Sequence, residues 1–485
     1  MTKEKKSKKN IDIKSAINSE QRLTNFSYLL LLLALGAQTM ILELTMPRIL
    51  APTFGNTLFC WTAIITVVLI ALSIGYYLGG LLATQNNIKR LIGLFSALSA
   101  VWVLGLSIVG ESITSYLSEL GLMLGPLVAA LLLSTVPAIF AAAAVPLVVE
   151  MRLGEPGRVA GQCYAWSTLG SIFGAFLTGY ILLPHLGISG TLLISAGIVF
   201  ISLLIIGKRV IGLAGLLLIF IIKIIPSNPD PSILFDKSNG YHRIRIIAYG
   251  NSNVRTLFLD STVEGAVEIG NSYPILNYQK KIEQIVELIP GLSRSLFIGG
   301  GSFSMPKYIK ARYPTTTVDV IEIDPDVINA AHKYLELHNE VNVLVGDGRN
   351  VLKHRSLTYD LIVNDAFHGV RNIPFHLVTK EFTRIVKEKL SSHGIYALNV
   401  MGHPTKSNLI NTIVKTIMEE FEYLSLLYDH ENTEQNIWIL ARSYPIKTGI
   451  SPRIGEFDKV LKVLTDNKAP VEFLVATELL HERLK

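Results

Sequence analysis

Two unlike halves are expected: a multi-span α-helical membrane domain, then an α/β domain built on a doubly wound sheet. Three observations carry this reading. Apolar residues form long runs from Phe26 to Pro226 and only short ones after Ser227. Of the 485 residues 50% are hydrophobic and only 17% charged, which is too apolar for one soluble globule. The second half alternates strand-like with helix-like segments, the pattern of a parallel sheet covered by helices.

In the first half, spans are expected near residues 26–46, 57–83, 91–110, 120–150, 161–183, 189–207 and 210–225. Each approaches or exceeds the roughly 20 residues needed to cross the hydrocarbon core, and the last is short. The fourth carries Pro137 and Pro146, so a kink or two half-spans are both open, and counts of 6 to 8 spans fit. The fifth, "GSIFGAFLTGY", is rich in small residues that let helices approach closely. Glu43 and Arg48 close the first span, and intramembrane charges face a partner or a cavity. Residues 1–25 read as a basic, disordered tail. The following apolar segment is too long, and lacks the small-residue site, for a cleaved signal. Cys60 and Cys163 lie within apolar runs and read as small core residues.

The net charge of +6 does not indicate nucleic acid. The excess sits in the tail and beside the spans, at Lys89, Arg90, Lys208 and Arg209. Basic flanks set membrane orientation and place these clusters in the cytoplasm. Seven alternating spans would leave the second half outside, whereas a cytosolic cosubstrate needs an even count. The expectation is a multi-pass protein of the cell membrane, with the lipid bilayer as partner and the soluble half cytoplasmic.

The soluble half divides into residues 227–285 and 286–485. "YHRIRIIAYG" and "VRTLFLDS", separated by "GNSN", read as a β-hairpin. A helix follows near Tyr278–Leu288. Strands are then expected at "SLFIGG", "TVDVIEID", "VNVLVGD", "YDLIVND" and "GIYALNV". Ligands bind beyond the carboxyl ends of such strands, and four ends carry chemistry. The first ends at Gly299-Gly300-Gly301, a turn without side chains that lets backbone approach a ligand. The second ends at Glu322, about 20 residues on, where a carboxylate can accept both ribose hydroxyls. The third ends at Asp347, where an adenine amino group would lie, and the fourth points Asp365 at the reacting end. A dinucleotide site wants G-x-G-x-x-G for its pyrophosphate, and "GGGSFS" lacks the last glycine. A nucleoside such as S-adenosylmethionine fits better, on an S-adenosylmethionine-type Rossmann-like fold.

The chain resembles the polyamine aminopropyltransferases, or spermidine synthases, in their membrane-fused form. The resemblance runs from about Gln38. "ELTMPRILAPTFGNTLFCWTAIITVVLIALSIGYYLGG" and "YAWSTLGSIFGAFLTGYILLPHLG" look like that group's membrane half. "LFLDSTVE", "NYQKKI", "LFIGGG", "VIEIDPDVI", "GDGRNVL", "VNDAF" and "TKEF" look like its soluble half. The resemblance implies that Glu322 holds the ribose and that Asp347 with Gly348 holds the adenine. It makes Asp365 the base that takes a proton from the attacking amine, and sets Tyr278 and Gln279 near the reacting groups. It implies decarboxylated S-adenosylmethionine as cosubstrate, methylthioadenosine as product, no metal, and self-association as a homodimer.

The chain departs from the family pattern at four substrate-facing positions. Ser302 stands where the family's Gly-Gly-Gly-Asp-Gly-Gly loop has an aspartate that meets the aminopropyl nitrogen. His368 stands where an amine-binding aspartate is usual, and Glu264 and His242 where glutamines are usual. Losing two carboxylates removes charge-assisted hydrogen bonds worth roughly 1.5–3 kcal/mol each. Three readings follow: a membrane-anchored aminopropyltransferase acting on an amine or other small acceptor, a methyltransferase using S-adenosylmethionine itself, or a nucleoside-binding sensor or transporter without turnover.

Overall fold

The computed structural model describes residues 2–152, 154–224, 230–239, 241–250, 252–367, 373–445 and 462–483. Side chains of residues 2–24, 111 and 481–483 are outside that description. The chain divides into two compact units, Met1–Ala51 with Asn56–Asn228, and Pro52–Gly55 with Pro229–Lys485.

The first unit is helical: α1 (Thr2–Phe54), α2 (Leu58–Leu82), α3 (Ile88–Tyr116), α4 (Gly121–Met151), α5 (Pro156–Leu177), α6 (Leu183–Ile205) and α7 (Arg209–Ile224). A short π turn, Thr178–Leu182, joins α5 to α6. α1 starts at Thr2, so the segment expected to be disordered is helical. Its Lys, Glu, Gln and Ala residues favour helix, and propagation from an apolar span adds one bond per residue fixed. Among the described residues, five stretches are long and apolar enough to cross a membrane, the last being Pro156–Ile205. That 50-residue stretch bends at Gly187, whose φ of 66° no helix tolerates. α7, at 16 residues, falls short of a span.

α4 is one continuous helix through Pro126, Pro137 and Pro146. Pro137 has no N–H to offer the Leu133 carbonyl four residues back. The indole of Trp102 on α3 donates to that carbonyl at 3.1 Å. α1 and α5 meet backbone to backbone. A Cβ on Gly170 would lie 1.9 Å from the Leu33 carbonyl oxygen, and one on Gly36 2.0 Å from that of Ser167. The small residues of "GSIFGAFLTGY" therefore do the packing expected of them.

The second unit opens with an antiparallel meander of β1 (Ile233–Ser238), β2 (Arg243–Ala248), β3 (Val254–Leu259) and β4 (Thr262–Glu268). The β2–β3 hairpin is the one read from sequence, with Ile244 opposite Leu259. β3 turns into β4 through Asp260 and Ser261, Asp260 at φ 56°. The remaining elements are α8 (Asn277–Glu287), β5 (Arg294–Ile298), α9 (Ser304–Arg312), β6 (Thr317–Glu322), α10 (Pro325–Tyr334), β7 (Asn342–Val345), α11 (Gly348–His354), β8 (Tyr359–Asn364), α12 (Lys380–Glu388), β9 (Leu390–Gly402), α13 (Asn408–Met418), β10 (Tyr423–Leu427), β11 (Gln435–Arg442) and α14 (Val471–Arg483).

The sheet order is β10-β11-β9-β8-β5-β6-β7. The strands from β7 through β6, β5 and β8 to β9 are parallel, as expected, but β11 pairs antiparallel with β9 and β10 antiparallel with β11, so the sheet is mixed. The order reverses between β5 and β8, which opens a crevice at their carboxyl ends. Leu296, Phe297, Val320, Leu361 and Val363 are all buried and make these strands the core of the unit.

Candidate active site

A cleft of about 850 Å³, counted out to its mouth, lies at that reversal. β5 delivers Gly299, Gly300 and Gly301, β6 delivers Glu322, β7 leads to Asp347 and Gly348, and β8 leads to Asp365. The meander adds His242 and Glu264, and α8 adds Gln279. Four carboxylates line this space, and among the described lining residues there is no lysine or arginine.

The glycine turn is tight because it has no side chains. A Cβ on Gly299 would lie 2.6 Å from the Asp365 carbonyl oxygen. Gly300 N–H donates to Glu322 Oε2 at 2.8 Å, and Asp324 N–H donates to Oε1 at 2.9 Å. These bonds fix the Glu322 carboxylate, and burial still pushes its pKa up against them. Asp347 caps α11 by accepting the Asn350 N–H at 2.8 Å, and its other oxygen meets His376 Nε2 at 2.8 Å. A Cβ on Gly348 would sit 2.4 Å from the Ile298 side chain.

Asp365 accepts a hydrogen bond from Asn399 Nδ2 at 2.8 Å. Burial raises its pKa to about 7, with Asn399 pulling the other way. Glu264 is pushed well above the carboxylate range by burial and then by the charges of Asp365, Asp260 and Glu322. Tyr278 donates its hydroxyl to the Glu264 carbonyl at 3.3 Å and accepts Gln279 Nε2 at 3.1 Å. Its own ionisation is raised by burial, then by Asp365 and Glu264. His242 Nδ1 lies 3.1 Å from Asp260 Oδ2, and Arg243 N–H holds the other oxygen of Asp260 at 3.0 Å.

Ser302 does not join this group. It is buried and absent from the lining, and a Cβ on Gly265 of β4 would lie 2.1 Å from its Oγ. Position in a loop is legible in sequence, whereas the direction of the side chain is not. His368 lies outside the described residues. Phe303 has a packing role: it adopts φ 57° and is fully buried, and a Cβ on Gly300 would come 2.5 Å from its ring. An aromatic side chain thus fills the space beneath the glycine turn.

Sequence reasoning missed His376, Asn399 and Asp260. His376 comes from a turn with no periodic signal, Asn399 is masked by the apolar run of β9, and Asp260 reads as an ordinary turn acid.

Three orphaned oxygens indicate what the cleft accommodates. Glu264 Oε1, Gln279 Oε1 and Ser304 Oγ are buried with no hydrogen-bond partner among the described residues. Carboxylates without lysine or arginine partners suit a cationic ligand, and bare glycines suit a flat nucleoside.

Fold and site together define a transferase on the S-adenosylmethionine-type Rossmann-like fold, with an antiparallel sheet before it. Residues 277–430 match the spermine/spermidine synthase domain. Over 212 residues the chain is 34% identical to the polyamine aminopropyltransferase of Vibrio vulnificus, covering 38% of this chain and 71% of that protein. It is 28% identical over 223 residues to a probable polyamine aminopropyl transferase of Bifidobacterium longum, covering 39% of this chain and 50% of that one. A probable spermidine synthase structure from Corynebacterium glutamicum aligns at 18% identity and TM-score 0.43, over 49% of this chain and 97% of that chain. The chain belongs to the polyamine aminopropyltransferase family.

Proposed function

We propose that this protein moves an aminopropyl group from decarboxylated S-adenosylmethionine to an amine acceptor and releases methylthioadenosine. We further propose that the apolar helices anchor it in the cell membrane with the cleft in the cytoplasm, where such a donor and amine would be supplied. The observation that carries the reaction is Asp365, at the end of β8 and poised near neutrality among other acids.

Attack requires a neutral amine, yet a lysine-like amine has a pKa of about 10.4. The amine's lone pair forms a C–N bond as the C–S bond of the sulfonium breaks. The broken bond's electrons stay on sulfur as a neutral thioether. Asp365 takes the proton the nitrogen loses, which contributes on the order of 10²–10⁴-fold. Glu322 receives the ribose hydroxyls through its remaining lone pairs, Asp347 and Gly348 border the adenine, and the acidic lining favours the positive sulfonium. Tyr278 and His242 hold Glu264 and the cleft wall, each tied to an acid-bearing segment.

The test is product formation by the detergent-solubilised full chain. Methylthioadenosine should accumulate only when both decarboxylated donor and an amine such as putrescine are present. Asp365→Asn should slow it by about 10²- to 10⁴-fold. Amine-independent product, or full activity in that variant, would remove Asp365 from the chemistry.

A further inference from the structure

We propose that Asp466 is a positioning residue for the nucleoside end of the cleft, acting through Arg349 and Thr379 on the His376–Asp347 pair; that this end takes adenine rests on the aminopropyl-transfer reading. Asp466 lies beyond residue 430, where the matched domain ends. It sits at the tip of a tight turn closed by Thr465 and Lys468, whose backbones bond each other at 3.1 and 2.9 Å. Leu464, just before the turn, is buried. Its carbonyl accepts the Lys380 N–H at 2.9 Å, and its own N–H donates to Thr416 Oγ1 at 2.9 Å. The turn is thereby pinned to α12 and α13, which gives its tip a fixed place.

That place is between the two elements that deliver the pair. Arg349, next to Gly348 on α11, sends two nitrogens to the two Asp466 oxygens, each at 2.6 Å. Thr379, the N-cap of α12, donates to Asp466 Oδ1 at 2.8 Å. Arg349 also donates to the His376 carbonyl at 3.3 Å. One carboxylate thus ties the turn carrying His376 to the helix that Asp347 caps, through charge-assisted bonds of defined direction. At the far end of this link His376 Nε2 lies 2.8 Å from Asp347 Oδ2. A carboxylate only accepts, so Nε2 carries the proton. With the Asn350 N–H on Oδ1, both Asp347 oxygens are held, and the carboxylate borders the cleft in one orientation. Its remaining lone pairs can accept from a 6-amino group and repel a 6-oxo group. The link therefore sharpens the choice of adenine over a 6-oxo purine.

The experiment measures methylthioadenosine and its 6-oxo counterpart, methylthioinosine, by calorimetry on the detergent-solubilised full chain. Wild type is compared with His376→Ala, Asp466→Ala and the double variant. Each single variant should weaken methylthioadenosine by roughly 3- to 10-fold, the scale of one hydrogen bond, and leave the weaker methylthioinosine nearly unchanged. The double variant should be no worse than the worse single one, because both residues act in one connected chain. Asp466→Asn keeps the side chain's shape and loses the charged pair, and should show the same selective loss if the alanine variant fails to fold. Arg384→Ala breaks a comparable ion pair elsewhere on α12, with Glu420 at 2.9 Å, and should change neither affinity. Equal weakening of both nucleosides, losses that add in the double variant, no change in either Asp466 variant, or the same loss in Arg384→Ala would overturn the proposal. A wild type that binds methylthioadenosine yet makes none from decarboxylated donor and putrescine would defeat the transfer reading and leave the affinity comparison valid. A wild type that binds neither nucleoside would defeat both.

Discussion

Asn399 Nδ2 donates to Asp365 Oδ1 at 2.8 Å, across the neighbouring strands β8 and β9. Burial raises the Asp365 pKa and this hydrogen bond restrains it, leaving a value of about 7. A carboxylate so balanced can take up and release a proton at physiological pH.

Replacing Asp365 by Asn keeps the shape and removes the base. Turnover should fall by about 10²- to 10⁴-fold while affinity for methylthioadenosine is retained. Calorimetry beside steady-state rates separates the two effects.

The ionised form of Asp365 is the active one. kcat/KM should therefore rise with pH and level off above about 7. Asn399→Leu removes the donor that favours the charged form, so the limb should move to higher pH. A limb that stays in place, or moves down, would sever the link. Linkage adds a second sign. The folded pKa lies above the ordinary 3.8, so the stability that protonation contributes is present below 3.8 and lost as pH rises through 7. Asp365→Asn should consequently melt higher than wild type at pH 8, with the gap closing towards pH 4.

Phe303 supports the glycine turn from below. Phe303→Ala should cost about 3–5 kcal/mol by opening a cavity, and alanine, which keeps its Cβ, gives no relief of the left-handed backbone there. Ser302→Asp should destabilise without gaining activity, because it places a carboxylate under β4 rather than in the cleft. Denaturation midpoints and rates on both variants check this. Higher turnover in Ser302→Asp would mean that the loop side chain reaches the substrate.

In the helical unit, Gly170→Leu cannot be accommodated where a Cβ would already lie 1.9 Å from the Leu33 carbonyl. α1 and α5 should separate, and the detergent-solubilised protein should lose its cooperative melt. Gly179→Leu, with open space around its Cβ position, is the matched control and should leave the melt intact.

The strand ends were legible because strand–helix alternation pins each of them. Gly299, Glu322, Asp347 and Asp365 converge in one cleft, as their spacing implied. What lies across the chain from them was not legible. Asn399 looks like a residue of a buried strand until β9 is seen beside β8. His376 reaches Asp347 from an irregular turn. The antiparallel β10 and β11 carry the same apolar pattern as parallel strands, so direction could not be read from them. Ser302 was placed correctly along the chain and wrongly in orientation, because a tight turn sets the side-chain direction by dihedrals that sequence does not specify.

One mixture experiment decides the reaction class. The full chain is given S-adenosylmethionine and its decarboxylated form at equal concentration, with putrescine, and the nucleoside products are separated by mass. Methylthioadenosine arising from the decarboxylated donor, with no S-adenosylhomocysteine, is the expected result. S-adenosylhomocysteine as the main product would make the same cleft a methyltransferase site and contradict aminopropyl transfer.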